Sequence, residues 1–404
     1  MTDLEDVLAL IDGATIVADT SSLILAKGEN PGGTEVKTVE VLEMIASRLG
    51  GRTERRNVAP DRPNLSIKFG PDEPGILFLG HSDVVPEGTG WQVTNAFMPR
   101  VVDGKLYGRG AVDMKGGLAA IMQAAAAVTQ VDPSVPIEIL VTADEEDLSL
   151  GMRRELQEAA RDYLCCIVGE PTNMATVVAC RGAANFRVTV HGKAAHAGRP
   201  EDGVNAITAA SRIALLIAGD HERLRAGAKG LLGSASWSIG RIQGGHGTSI
   251  VPDLCEILVD RRLMPHESGA DAMEGLNALI QQEHTLDGCS TSVEQLMEMP
   301  GFETEADHPL TQDVVKALEL ERFESPVEAW TAACEGGFVH QHHGCPVVIM
   351  GPGDIRNQAH QPDECVPIAD LELAARAYAR VAMSQWARRG EVVASGNDSR
   401  QDPN

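Results

Sequence analysis

Three apolar runs in this chain end in the same way. "GILFLGHSD" (75–83), "VPIEILVTADEE" (135–146) and "YLCCIVGEPT" (163–172) each carry a short apolar stretch into a histidine or an acid. Runs of this length and character read as buried strands. An alanine-rich segment, "KGGLAAIMQAAAAVTQ" (115–130), reads as a buried helix between the first two. Strands alternating with helices imply an α/β domain whose mixed, mostly parallel sheet is flanked by helices. Ligands of such sheets gather beyond the carboxyl ends of the strands. His81, Glu145, Glu146 and Glu170 all fall at such ends. His81 and Asp83, two residues apart in extended chain, point the same way.

Around this framework, residues 4–12 and 34–49 read as helices, the second stopped by Gly50 and Gly51. "NLSIKFG" and "GILFLG" read as a pair of strands. The texture changes near Cys180. "RGAANFRVTVHGKAAHAG" alternates like a half-buried strand, a helix follows in "GVNAITAASRIALLIAG", and the strand-like "SASWSIGRIQGG" and "LCEILVDRRLMP" precede a helix near 269–284. This predicts a small α+β domain inserted over 181–292 into a catalytic domain formed by 1–180 and 293–390. A long helix is expected from Ala369 to Arg389, and a disordered polar tail over 391–404.

The charge balance, 34 Lys and Arg against 58 Asp and Glu, gives a net −24. A nucleic-acid partner or an anionic membrane surface needs a basic footprint, so neither is expected. No apolar run reaches membrane-spanning length. The N-terminal "MTDLEDVLALIDG" lacks the basic stretch of a secretory signal. Eight cysteines without a C-x-x-C pair suit buried thiols in a reduced cytoplasm.

Two further segments repeat the habit of the strand ends. Asp113 sits in the glycine-rich "GRGAVDMKGG", and His360 in "NQAHQPDE". One histidine or one acid pair at a strand end is ordinary. Five segments delivering two imidazoles and several carboxylates form an N/O donor set that suits zinc, and less selectively manganese or cobalt.

The motifs also resemble a known family. "GHSDVVP", "WQVTNAFMPRVVDGKLYGRGAVDMKGG", "TADEE", "VGEPT", "HGKAAHAGRPEDGVNAI", "VDRRLMP" and "GPGDIRNQAHQPDE" run in order from about 75 to 370. Together they resemble the co-catalytic zinc amidohydrolases that include acetylornithine deacetylase, succinyl-diaminopimelate desuccinylase and glutamate carboxypeptidase. The wording "GPG…AHQPDE" is nearest the acetylornithine deacetylase branch. The resemblance implies two divalent ions, zinc or alternatively cobalt or manganese. His81 and Glu170 would hold one, Glu146 and His360 the other, and Asp113 would bridge them. It implies that Asp83 orients His81, that Glu145 is the general base for a metal-activated water, and that a cis peptide follows Asp113. His196 would stabilise the oxyanion from the neighbouring subunit of a homodimer formed through the inserted domain. Arg262 would meet a substrate carboxylate, with Arg261 its one-residue-shifted rival. Gly353 would admit the substrate close to the backbone, or serve simply as a turn glycine.

Two departures from the family pattern stand out. Ser249 in "GTSIVP" replaces an asparagine, and Glu335 in "AACEGGFVHQHHG" replaces a hydroxyl residue. Glu335 would favour a cationic substrate group if it faced the pocket; a solvated loop acid is the equal alternative. His246, His340, His342 and His343 receive no metal role. The leading function is hydrolysis of the amide of a small N-acyl amino acid. The alternatives are a dipeptidase or carboxypeptidase, C–N hydrolysis of an unusual aromatic amine or amide, or a dimeric binding protein with a degenerate site.

Overall fold

The computed structural model describes residues 2–281 and 286–398. The chain forms two compact units: 1–178, 304–328 and 338–404 make the first, 179–303 and 329–337 the second.

The first unit holds most of a nine-stranded sheet. Its main path reads Arg52–Ala59, Arg62–Phe69, Ile137–Thr142, Ile76–His81, Cys165–Val168, Val347–Ile349 and Thr176–Cys180. Phe302–Glu303 and Val327–Trp330 both pair with Thr176–Cys180. Ile76–His81 is parallel to both of its neighbours, and Val347–Ile349 is parallel to Cys165–Val168. The outer strands are antiparallel. "NLSIKFG" and "GILFLG" are therefore not partners, because Ile137–Thr142 lies between them. The register aligns His81 with Thr142 and Leu79 with Val168, so three parallel strands end at one level.

Helix Lys115–Val131 is buried along most of its length, packing on Gly13–Leu25 and on the C-terminal helix Ile368–Asp398. Small residues permit that depth: a Cβ on Gly117 would lie 2.4 Å from the Gly169 carbonyl oxygen. Phe78 of the sheet meets Tyr378 of the last helix edge to face at 5.5 Å. That helix runs to Asp398, through the first part of the tail expected to be disordered, since extending an existing helix adds one bond per residue fixed. Residues 399–404 lie outside the described residues.

The second unit is an antiparallel sheet in the order Ser236–Gly244, Leu254–Leu263, Gly182–His191, Ser290–Met299. Helices Ala206–Ala226 and Gly269–Gln281 pack on it around Phe186, Val188, Ile213, Ile257 and Leu276. The expected helix end at 282–284 lies outside the described residues. The boundary expected at 292 cuts a strand. Ser290–Met299 pairs with Gly182–His191 from Ser290 opposite His191 to Met299 opposite Ala183, so the inserted unit continues to Glu303.

Among the described residues no single helix is long and apolar enough to cross a membrane. All eight cysteines are buried with free thiols.

Candidate metal centre

The strand ends converge on the carboxylate of Asp113. His81 is the last residue of Ile76–His81 and is 1% exposed. Its Nε2 lies 3.2 Å from Asp113 Oδ1 and 3.5 Å from Glu170 Oε1. His360 approaches the other oxygen: its Nε2 lies 3.2 Å from Asp113 Oδ2 and 3.2 Å from Glu146 Oε2. One donor atom each from His81, Asp113 and Glu146 falls within 4.8 Å of the others. The peptide between Asp113 and Met114 is cis.

Asp83 supports this cluster through its backbone and its side chain. His81 Nδ1 lies 3.0 Å from the Asp83 main-chain oxygen and 3.4 Å from its carboxylate. A proton on Nδ1 leaves Nε2 with a free lone pair toward Asp113 and Glu170. The carboxylate of Asp83 accepts from the amides of Glu145 and Glu146, at 3.2 and 3.1 Å, and from Asn30 Nδ2 at 2.8 Å. Asn30 also donates to Asp144, which pairs with Arg62. Asp83 thus holds both the histidine and the turn that presents the two glutamates.

The electrostatics show a site short of positive charge. Burial, then the neighbouring Asp113, pushes the Glu170 carboxyl well up. Burial opposes charge on His81, yet Glu170, Asp113 and Asp83 together hold it well above the usual imidazole range. Bonds to Asp113 and Glu146 raise His360 to about 10. Asp113 is held low despite its burial by the two histidines. Glu146 Oε1 is buried without a hydrogen-bond partner. An orphaned carboxylate oxygen beside two imidazoles and two further carboxylates fits a bound cation, and the donor types fit zinc, manganese or cobalt.

The remaining expected residues lie as follows. Glu145 is half-buried in the turn beside Glu146. Gly353 has φ +92°, and a Cβ there would meet Val112 Cγ1 at 2.9 Å, so glycine keeps the chain against the residue preceding Asp113. In the second unit, His196 and Ser249 are exposed neighbours: His196 stands opposite Ile250, and the Ala197 amide donates to the Ser249 oxygen at 3.0 Å. His196 Nδ1 accepts from the Gly198 amide at 3.0 Å, which puts the proton of a neutral ring on Nε2. Arg261 is buried against Trp237 and paired with Glu267, whereas Arg262 keeps a partly exposed guanidinium beside Asp260. Glu335 is 3% exposed and so is not a solvated loop acid.

Asn30, Arg109 and Glu364 were not singled out from the sequence. Glu364 is fully buried and accepts from the amides of Val112 and Asp113. Its one sequence signal is its place in "HQPDECV", four residues after His360 and directly before apolar chain.

Fold and donor set together define an α/β metallohydrolase. The chain belongs to peptidase family M20/M25/M40, whose model matches residues 77–384, and is an enzyme acting on amides. An acetylornithine deacetylase of Vibrio cholerae is 30% identical over 368 residues, 89% of this chain and 94% of that protein. Among solved structures, aminopeptidase PepT of Bacillus cereus superposes with TM-score 0.72 at 21% identity, covering 93% of this chain and 99% of that one. A Bacillus subtilis protein described as a dinuclear metal binding peptidase from the M20 family gives TM-score 0.66 at 17% identity, covering 92% and 98%. At these identities the structural likeness speaks to the fold.

Proposed function

We propose that this enzyme hydrolyses the amide bond of a small N-acyl amino acid, in the manner of an acetylornithine deacetylase. The observation that carries the reading is the split of donors about Asp113: His81 and Glu170 beside one oxygen, His360 and Glu146 beside the other. Each group would hold one divalent ion, zinc or alternatively cobalt or manganese, with Asp113 shared. Two such ions supply Lewis acidity, polarising a carbonyl and making water acidic near neutrality.

The chain's own residues do the rest. Glu145 accepts the proton of the attacking water and returns it to the leaving amine. Asp83 keeps its turn in place. His196, with its Nε2 proton, donates to the oxyanion of the neighbouring subunit's substrate. The inserted unit forms that dimer, and Ser249, next to His196, contacts substrate from the same side. Arg262 rather than Arg261 takes the substrate carboxylate, because the Arg261 guanidinium is committed to Glu267 and Trp237. Glu335 meets a cationic side chain, and Gly353 lets the substrate lie along the backbone. The buried thiols suit a cytoplasmic setting.

The test is a panel of N-acetyl and N-succinyl amino acids against dipeptides, run with metal-free and reconstituted protein. Chelation is expected to abolish turnover, and zinc, cobalt or manganese to restore it, with the acylated substrates preferred. Turnover by metal-free protein would refute the metal reading. Preference for dipeptides would move the enzyme to the peptidase branch.

A further inference from the structure

Arg109 and Glu364 lie behind the centre, and three of the segments that supply its donors close on them. Glu364 Oε1 accepts from the amides of Val112 and Asp113, at 2.9 and 3.2 Å. Its other oxygen accepts from Arg109 Nη1 at 2.7 Å, and the Gly108 amide donates to its main-chain oxygen at 3.0 Å. Arg109 Nη1 also donates to the Gln361 oxygen at 3.2 Å, and Nη2 donates to the oxygens of Pro86 and Glu87 at 3.3 Å each. The Trp91 indole flanks the guanidinium at 5.3 Å. Both charged residues are at least 98% buried. A buried ion pair endures only where further hydrogen bonds satisfy it, and here those bonds tie together the His360 segment, the Asp113 turn and the chain after His81.

The two halves of the centre depend on this pair unequally. His81 is the last residue of a strand paired on both sides, and Glu170 lies two residues beyond its parallel neighbour. His360 lies in a turn outside any strand, with φ +64° and its side chain 49% exposed. The contact between Asp113 Oδ2 and His360 Nε2 is set by the segment that carries both His360 and Glu364. We propose that Arg109 and Glu364 are positioning residues that set the His360–Glu146 half of the centre against Asp113, so that losing either weakens binding of one divalent ion selectively. This rests on the two-ion reading above.

The test is calorimetric titration of the metal-free full-length protein with Co²⁺, followed also by visible absorption. Wild type is expected to bind two ions. In Glu364→Ala the weaker ion is expected to lose about 10–100-fold in affinity, the range for groups that orient metal ligands. The tighter ion and KM should hold. Arg109→Ala should behave alike, and the double variant should add little, because the two residues act as one unit. Wild-type affinities in Glu364→Ala would overturn the proposal. So would equal weakening of both ions with a lowered melting temperature, which is the mark of a general structural role. If Glu364→Ala does not fold, Arg109→Ala is read by the same criteria. A wild-type protein binding fewer than two ions would instead refute the two-ion reading itself.

Discussion

Adjacent glutamates in one turn are assigned opposite duties, and exchanging each for glutamine separates them. Glu146 Oε2 lies 3.2 Å from His360 Nε2, inside the donor cluster. Glu145 is held through its main chain, its amide donating to Asp83 at 3.2 Å. The Glu146 amide is held by the same carboxylate at 3.1 Å. Both amides of the turn are thus held by Asp83, which neither variant alters, and both variants should fold. Glu145→Gln keeps the shape and removes the proton acceptor. A positioned general base contributes about 10²–10⁴ in rate. At about 1.36 kcal/mol per tenfold, that is about 2.7–5.4 kcal/mol of barrier. The loss should fall on kcat, with both ions retained. Glu146→Gln removes one of the three carboxylates of the cluster and should release the ion on the His360 side. The assay is steady-state kinetics on an N-acetyl amino acid, with metal content measured on the same preparations. If Glu145→Gln loses metal while Glu146→Gln keeps it, the roles are reversed. If Glu145→Gln turns over at the wild-type rate with both ions bound, Glu145 is not the base.

Complementation tests the lent histidine: His196→Ala should lose about 10²–10³ in rate, and mixing it with Glu145→Gln should restore one working site per heterodimer. Mixtures as inactive as their parents would place His196 in its own subunit's site. A pH effect is expected at His343, where burial, then the charges of His342 and Arg161, lower the imidazole to about 4. The unfolded chain takes up this proton near its ordinary value of about 6.5. His343 therefore contributes stability that is complete above 6.5 and is lost as pH falls toward 4. His343→Gln should flatten the stability profile in that window, measured by urea unfolding; an unchanged slope would refute the assignment.

His81, Glu146 and Glu170 were legible because each stands at or just beyond the end of an apolar strand, a pattern carried by local sequence, whereas Asp113 and His360 lie in turns and were drawn in by their motifs. The elements missed from the sequence hid for local reasons too. Helix Gly13–Leu25 contains Thr20, Ser21 and Ser22, residues that usually favour turns. In the fold their hydroxyls bond to carbonyls four residues back, at Ile16, Val17 and Ala18. Strand Arg52–Ala59 is charged because it is an exposed edge, where charge discourages pairing with other chains. Ser290–Met299 was cut by the expected boundary because one of its faces is exposed and the other only partly buried, so no apolar run marks it. Glu364, Arg109 and Asn30 could not be ranked, since their importance lies in partners 22 to 255 residues away. Strand alternation does separate Arg261 from Arg262: Arg261 faces the buried side with Trp237, so Arg262 must face the other.

That same alternation of anchored and exposed positions gives the centre a direction. His81 is buried at the end of a strand paired on both sides, and Glu170 is nearly as enclosed, so this half is closed by the sheet itself. His360 stands half in solvent on a turn, although its partners Asp113 and Glu146 are buried. Among these described donors, His360 is the one whose side chain is half open to solvent. On the proposed reading, a scissile carbonyl would meet the donors from the His360 side, with Gly353 backing the neighbouring chain at Val112. Glu145 stands in the same turn as Glu146, and its charge also acts on His81. On the proposed reading, a base carried by this turn acts beside Glu146, whose Oε2 lies 3.2 Å from His360 Nε2.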